Sequence, residues 1–183
     1  MRPVKMNVGN KPIGTALTWA YPNGQGYGVY VIPTYQLTVT GKDSKGVSRS
    51  SDFEVLRFGV LCKQATDKPV VVGLAEQQTH IIKAWLPHYT VHSARSSERG
   101  AWQVYGGFLI HDGPDDPKKE IYASIGCIEL CGGPRGFDIF NDFVIELSGA
   151  VYKDRARNLI DIGSSKNITI TYEKATRPIL RSA

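Results

Sequence analysis

Cysteine and histidine are both scarce in this sequence. Cys62, Cys127 and Cys131 are the only cysteines among 183 residues. So few, and an odd number, do not build a disulfide framework, and at least one thiol stays free. The four histidines, His80, His88, His92 and His111, all precede Cys127. No apolar stretch approaches the roughly 18 residues of a membrane span, so none is expected. The N-terminal MRPVKMNVGNKPIGTALTW has early positive charge but no apolar run of signal-peptide length. The expectation is a soluble chain without a classical export signal. Lys and Arg total 22 against 17 acidic residues, a net charge of +5. Without a basic run or a base-reading motif, that excess does not point to nucleic acid. It would help approach to a polyanion such as an acidic cell-wall polymer. With no repeat, low-complexity tract or evident linker, residues 1–183 read as one domain.

What is present favours strands. Glycine numbers 19 and proline 10, a composition rich in turns. Residues 35–40, YQLTVT, alternate Tyr35, Leu37 and Val39 with polar neighbours, the period of a half-buried strand. GKDSKG at 41–46 reads as a turn, and FEVLRFGVLC at 53–62 as the returning strand of a hairpin. THIIKAWLPHYTV at 79–91 reads as one or two strands broken near Pro87. WQVYGGFLI at 102–110 reads as one strand with a bulge or close approach at Gly106 and Gly107. NITITYE at 167–173 is the last clear strand. One helix is expected over 136–148, where Phe140, Phe143, Val144 and Leu147 share a face. Asp138 suits its positive end and Gly149 its stop.

The chemistry concentrates in 105–133, YGGFLIHDGPDDPKKEIYASIGCIELCGG. An apolar strand ends at His111, a polar loop follows, and the chain returns through Ser124, Ile125, Gly126 and Cys127. A thiol attacks a carbonyl as thiolate and needs a base or a positive neighbour. Imidazole suits that role near neutral pH. Gly126 lets the backbone turn sharply beside a substrate. The backbone N–H of Cys127 is a candidate oxyanion donor. Alone, a cysteine beside glycine is ordinarily packing. Asp112 is a candidate to orient His111, although strand neighbours point to opposite faces. Asp115 and Asp116 read as solvated loop acids, and a backbone carbonyl is the other candidate orienter. Tyr105, Trp102 and Arg135 are candidates to line a substrate groove, Arg135 by pairing with a carboxylate.

The run of apolar-apolar-His-x-Gly, polar loop and Ser-x-Gly-Cys-Ile resembles the active-site signature of the L,D-transpeptidase (YkuD-like) catalytic domain. The likeness covers about 25 residues strongly. It implies a mainly β fold, an L,D-transpeptidase-like sandwich or barrel with one substantial helix after the catalytic loop. It implies Cys127 as nucleophile, His111 as base, and Ser124 and Gly126 as shapers of the loop. The implied substrate is the peptide stem of peptidoglycan, with no metal or organic cofactor. Ile125 stands where members usually have a second histidine, and Glu129 where they often have arginine. The pattern is closer to toxin-like members that a type VI secretion apparatus injects into competitors. That implies action in the periplasm or cell wall, a secretion carrier and an immunity protein as partners.

Three other readings compete. Cys127 and Cys131 with His88 and His92 are a set of zinc-ligand type. A papain-like hydrolase would place a histidine after the cysteine, and none follows Cys127. A non-catalytic cell-wall-binding or interaction domain could share the fold.

Overall fold

Strand begins almost at once, because Val4, Met6 and Val8 alternate inward. The computed structural model describes residues 1–90 and 99–183. Its first strands are β1 (Val4–Val8), β2 (Gly14–Trp19), β3 (Val29–Lys42) and β4 (Ser48–Leu56). Four short ones follow, β5 (Gly59–Leu61), β6 (Val70–Val72), β7 (Gln78–Ile81) and β8 (Ala84–Leu86). Next come β9 (Ala101–Tyr105), β10 (Phe108–Asp112), β11 (Ile121–Ala123) and β12 (Ile128–Leu130). The helices α1 (Gly136–Ser148) and α2 (Arg155–Ser164) precede β13 (Ile168–Tyr172) and β14 (Arg181–Ser182). Strands hold 41% of residues and helices 15%, so the chain is mainly β, with a sheet curled into a half-barrel.

The main sheet runs β7-β13-β1-β3-β4-β12-β10-β9-β8. The curl comes from β3, whose 14 residues serve two sets of neighbours. Its first half pairs with β2, and its second half with β1 and β4. The main core lies where α1 and α2 cover the sheet. Phe137, Phe140, Val144 and Leu147 are the buried face of α1, with Phe140 edge-on to Phe53 of β4 at 5.4 Å. Burying each such side chain stabilises by about 1.5–3 kcal/mol. Phe143 packs against this core from its margin, partly buried, and the buried face extends to Phe137 one turn before Phe140. Among the described residues, neither helix is long and apolar enough to cross a membrane.

The structure corrects four expectations. A second helix, α2, exists, capped by the Asp154 carboxylate accepting from Ala156 N–H at 2.9 Å. Residues 102–110 are not one strand but the hairpin β9–β10, whose turn is Gly106-Gly107 and whose irregularity falls at Phe108/Leu109. Residues 53–62 belong to two strands, because pairing is interrupted at Arg57 and Phe58 and β5 joins β6 in a separate two-stranded sheet. The break expected at Pro87 falls earlier, at Ile82 and Lys83, where β7 leaves β13 and β8 joins β9.

Candidate active site

His111 lies on β10 and Cys127 directly precedes β12, which runs parallel beside it. The register pairs Ile110 with Ile128, His111 with Glu129 and Asp112 with Leu130. Side chains alternate along a strand, so Leu109 and His111 share one face with Cys127 and Glu129. Ile110, Ile128 and Leu130 face the main core instead, while Leu109 and Cys127 pack together with Ala101. Thiol and imidazole therefore stand on one face of adjacent strands, two residues apart along the register.

The loop that presents the thiol is clasped by the β5–β6 hairpin. Gly126 has φ +97°, and a Cβ there would stand 2.6 Å from Gly73 Cα, so the position needs glycine twice over. Ser124 is buried, its carbonyl accepts from Val60 N–H at 2.9 Å, and its N–H donates to Thr18 Oγ1 at 3.4 Å. Its hydroxyl oxygen accepts from Gly126 N–H at 3.5 Å. These contacts set the direction in which Cys127 leaves the loop.

His111 is fully buried, with Nδ1 2.7 Å from the backbone carbonyl of Asp112. A carbonyl only accepts, so Nδ1 carries a proton and Nε2 is the ring atom left to act as base. The Asp112 carboxylate lies 3.4 Å from Arg99 Nε, and Arg99 also holds Asp138 at 2.8 Å. Residue 112 thus orients the imidazole through its main chain, a correction to the role expected of its side chain. Asp116 is tied within its own turn to Lys119 at 3.1 Å.

The thiol is neutral at rest. Cys127 is 3% exposed, and burial pushes it up to about 12, with Leu109 N–H opposing and Glu129 adding to the rise. Its Sγ lies 3.9 Å from the carbonyl of Gly107 in the β9–β10 turn. Glu129 is fully buried, with Oε1 4.0 Å from His111 Nε2. Burial pushes it up to about 8, the Ser124 hydroxyl opposing and Asp112 adding. Neither Glu129 oxygen has a hydrogen-bond partner of ordinary length among the described residues, so the Ser124 hydroxyl acts on it only weakly. The Tyr89 ring lies 5.5 Å from that of His111, and burial, then Cys127 and Glu129, push its hydroxyl up to about 12.

Sequence reasoning treats Glu129 only as a departure from a motif and overlooks Tyr89. A charged residue between Ile128 and Leu130 in a strand was the available signal for the first. Nothing local marks the second. Arg135 is exposed before α1, past the end of β12 that is farther from Cys127, a strand length of roughly 10 Å at ~3.3 Å per residue. Tyr105 stacks on His80 at 4.6 Å. Trp102 is no groove residue: it is buried in the core and donates to Asn141 Oδ1 at 2.8 Å.

Cys127 and Cys131 flank β12 at its two ends, roughly 13 Å apart along an extended chain at ~3.3 Å per residue. They pack in different clusters. Two sulfurs on one zinc stand within about 4.6 Å of each other, given Zn–S bonds near 2.3 Å. The pair therefore does not form the expected zinc set, and His92 lies outside the described residues. Among the described residues, no three His, Cys, Asp or Glu side chains group as metal ligands do.

Comparison with models of known protein families, with curated proteins and with solved structures returned no match.

Proposed function

We propose that this chain is a cysteine acyl transferase acting on the peptide stems of peptidoglycan. The observation that supports it is the shared face of β10 and β12, with Cys127 and His111 two residues apart along the register and His111 Nδ1 held by a carbonyl. An L,D-transpeptidase-like arrangement of the curled sheet belongs to the same proposal.

In this reading the Cys127 proton passes to His111 Nε2 as sulfur attacks the carbonyl of the third, L-centred stem residue. The carbon–nitrogen bond to the terminal D-alanine breaks, and the leaving amine takes the proton from the imidazolium. A thioester remains on Cys127. An acceptor then gives its proton to His111 and attacks the thioester, releasing the thiol. Water makes the reaction a carboxypeptidase, a neighbouring stem amine a cross-linking transpeptidase, and a free D-amino acid an exchange. The chemistry fits an antibacterial effector acting in the periplasm, with an immunity protein guarding the producer.

Purified protein incubated with cell wall should change muropeptide masses. Cys127→Ala and His111→Ala should each abolish the change, and activity surviving in Cys127→Ala removes the mechanism. Directed to the periplasm, the protein should poison cells that tolerate it in the cytoplasm; equal toxicity in both compartments would refute the effector role. A second reading, a non-catalytic binding domain, is favoured by the burial of the thiol and its rise to about 12. It predicts retention on cell wall with no mass change in any variant.

A further inference from the structure

Residue 129 lies in a strand whose neighbours Ile128 and Leu130 are buried apolar side chains. In place of a third, the fold encloses a carboxyl completely. Neither oxygen finds an ordinary hydrogen-bond partner among the described residues. A carboxylate so enclosed needs a cation or gives up its charge. His111 faces it from β10, Cys127 and Cys131 flank it on its own strand, and the Asp112 carboxylate, paired to Arg99, acts on it only through its charge. Tyr89 faces it from beyond β8, Ser124 from the preceding loop, and uncharged Leu56 is its register partner on β4. Of the groups that face it only His111 can carry positive charge, and its Nε2 is 4.0 Å from Oε1. That distance exceeds a hydrogen bond, so the carboxyl faces the basic nitrogen without capturing it.

We propose that Glu129 and His111 titrate as one pair, with the exchangeable proton on the Glu129 carboxyl at rest, and that Glu129 is the positioning residue that keeps the base neutral and poised for the thiol proton. This rests on the reading of Cys127 and His111 as nucleophile and base. At rest the proton resides on the Glu129 carboxyl. Nδ1–H is fixed by the Asp112 carbonyl, and Nε2 keeps its lone pair. No second negative charge then faces the sulfur. When Glu129 loses its proton to solvent, a carboxylate stands beside both Nε2 and the thiol. It holds the thiol in its neutral form and draws any imidazolium proton to itself. Burial pushes Glu129 up to about 8, which keeps the acid neutral under neutral conditions.

The experiment is nitrogen NMR of the whole protein with 15N-labelled imidazoles, following His111 across pH. The wild type should show an unprotonated Nε2 at neutral pH and a step in its resonance centred near 8. Glu129→Gln keeps the shape of the neutral acid and should lose that step while Nδ1 stays protonated. An imidazolium signature in neutral wild-type protein would overturn the proposal, since the pair would then be carboxylate and cation. A step that persists in Glu129→Gln would also overturn it. Because the wild-type spectrum alone decides the first point, an unfolded variant does not block the test. A wild type that shows the step yet leaves muropeptides unchanged would remove the acyl-transfer reading and leave the paired titration standing.

Discussion

The protons of single carboxyl groups enter the folding equilibrium with opposite signs in this molecule. Asp43 is held below the usual carboxylate range, chiefly by Val47 N–H, so its contribution is lost as pH falls below that range. Glu129 is the reverse case, pushed up from 4.5 to about 8 by burial. Between those values the folded chain keeps a proton that the unfolded chain has released. Stability therefore falls as pH rises through that window, by at most about 1.4 kcal/mol per pH unit, and levels off above it. His80 works in the other direction, since burial lowers it and the unfolded chain then binds the extra proton. The difference between wild type and Glu129→Gln isolates the carboxyl. Urea midpoints taken at about pH 5 and about pH 8 should fall more in the wild type than in the variant. Parallel profiles would show that residue 129 is already ionised in the fold.

At the scale of elements, α2 shows how a short helix is held by its first turn. Asp154 accepts from Ala156 N–H at 2.9 Å, and Asn158 exchanges hydrogen bonds with the Tyr152 backbone at 2.8 and 3.1 Å. Asp154→Ala should cost about 1 kcal/mol and Asp154→Asn much less, read from urea midpoints. An unchanged midpoint in Asp154→Ala would mean that packing against β8 alone sets the helix. That cap was in the sequence, but the apolar pattern behind it was thin: Leu159 and Ile162 are its buried apolar side chains. Gly163 is needed because a Cβ there would meet Trp85 N at 2.3 Å, a contact no local pattern encodes. In α1 four inward side chains make the period plain. The start of β4 is polar, SRSSD, and is held to β3 through its backbone, so alternation does not reveal it. The hairpin turn at Gly106-Gly107 hides between two apolar runs that read as one. In the site, His111, Ser124, Gly126 and Cys127 are legible as a local pattern of residue types. The roles of Glu129, Tyr89 and the Asp112 carbonyl depend on how β10, β12 and the segment after β8 are brought together, which no run of residues displays.

Across the whole molecule, one side chain gathers ends that are distant in sequence. Arg57 is fully buried in the short connection between β4 and β5. Its guanidinium donates to Gly9 O at 2.9 Å, to Leu74 O at 2.9 and 3.1 Å, and to Glu173 O. Those carbonyls follow β1, β6 and β13 respectively. Tyr35, Phe58 and Tyr172 surround the charge with ring centroids 5.5–5.9 Å from its central carbon. Carbonyl dipoles and ring faces thus stand in for a carboxylate. Arg57→Met keeps the length but leaves three part-buried carbonyls without this donor, each costing up to about 1–3 kcal/mol. The sum is a large part of a total stability of about 5–15 kcal/mol, so the urea midpoint should collapse. Arg57→Lys keeps the charge but not the planar fork, and should fall between wild type and Arg57→Met. The effect should reach the thiol as well. Leu74 follows Gly73, whose backbone is what a Cβ at Gly126 would strike, and Gly126 aims Cys127. In folded Arg57→Lys, alkylation of Cys127 should therefore change in rate while that of Cys62, buried in a separate cluster, does not. Equal changes at both cysteines would mean general loosening of the fold, and no change at either would mean that the Gly73 contact does not hold the loop.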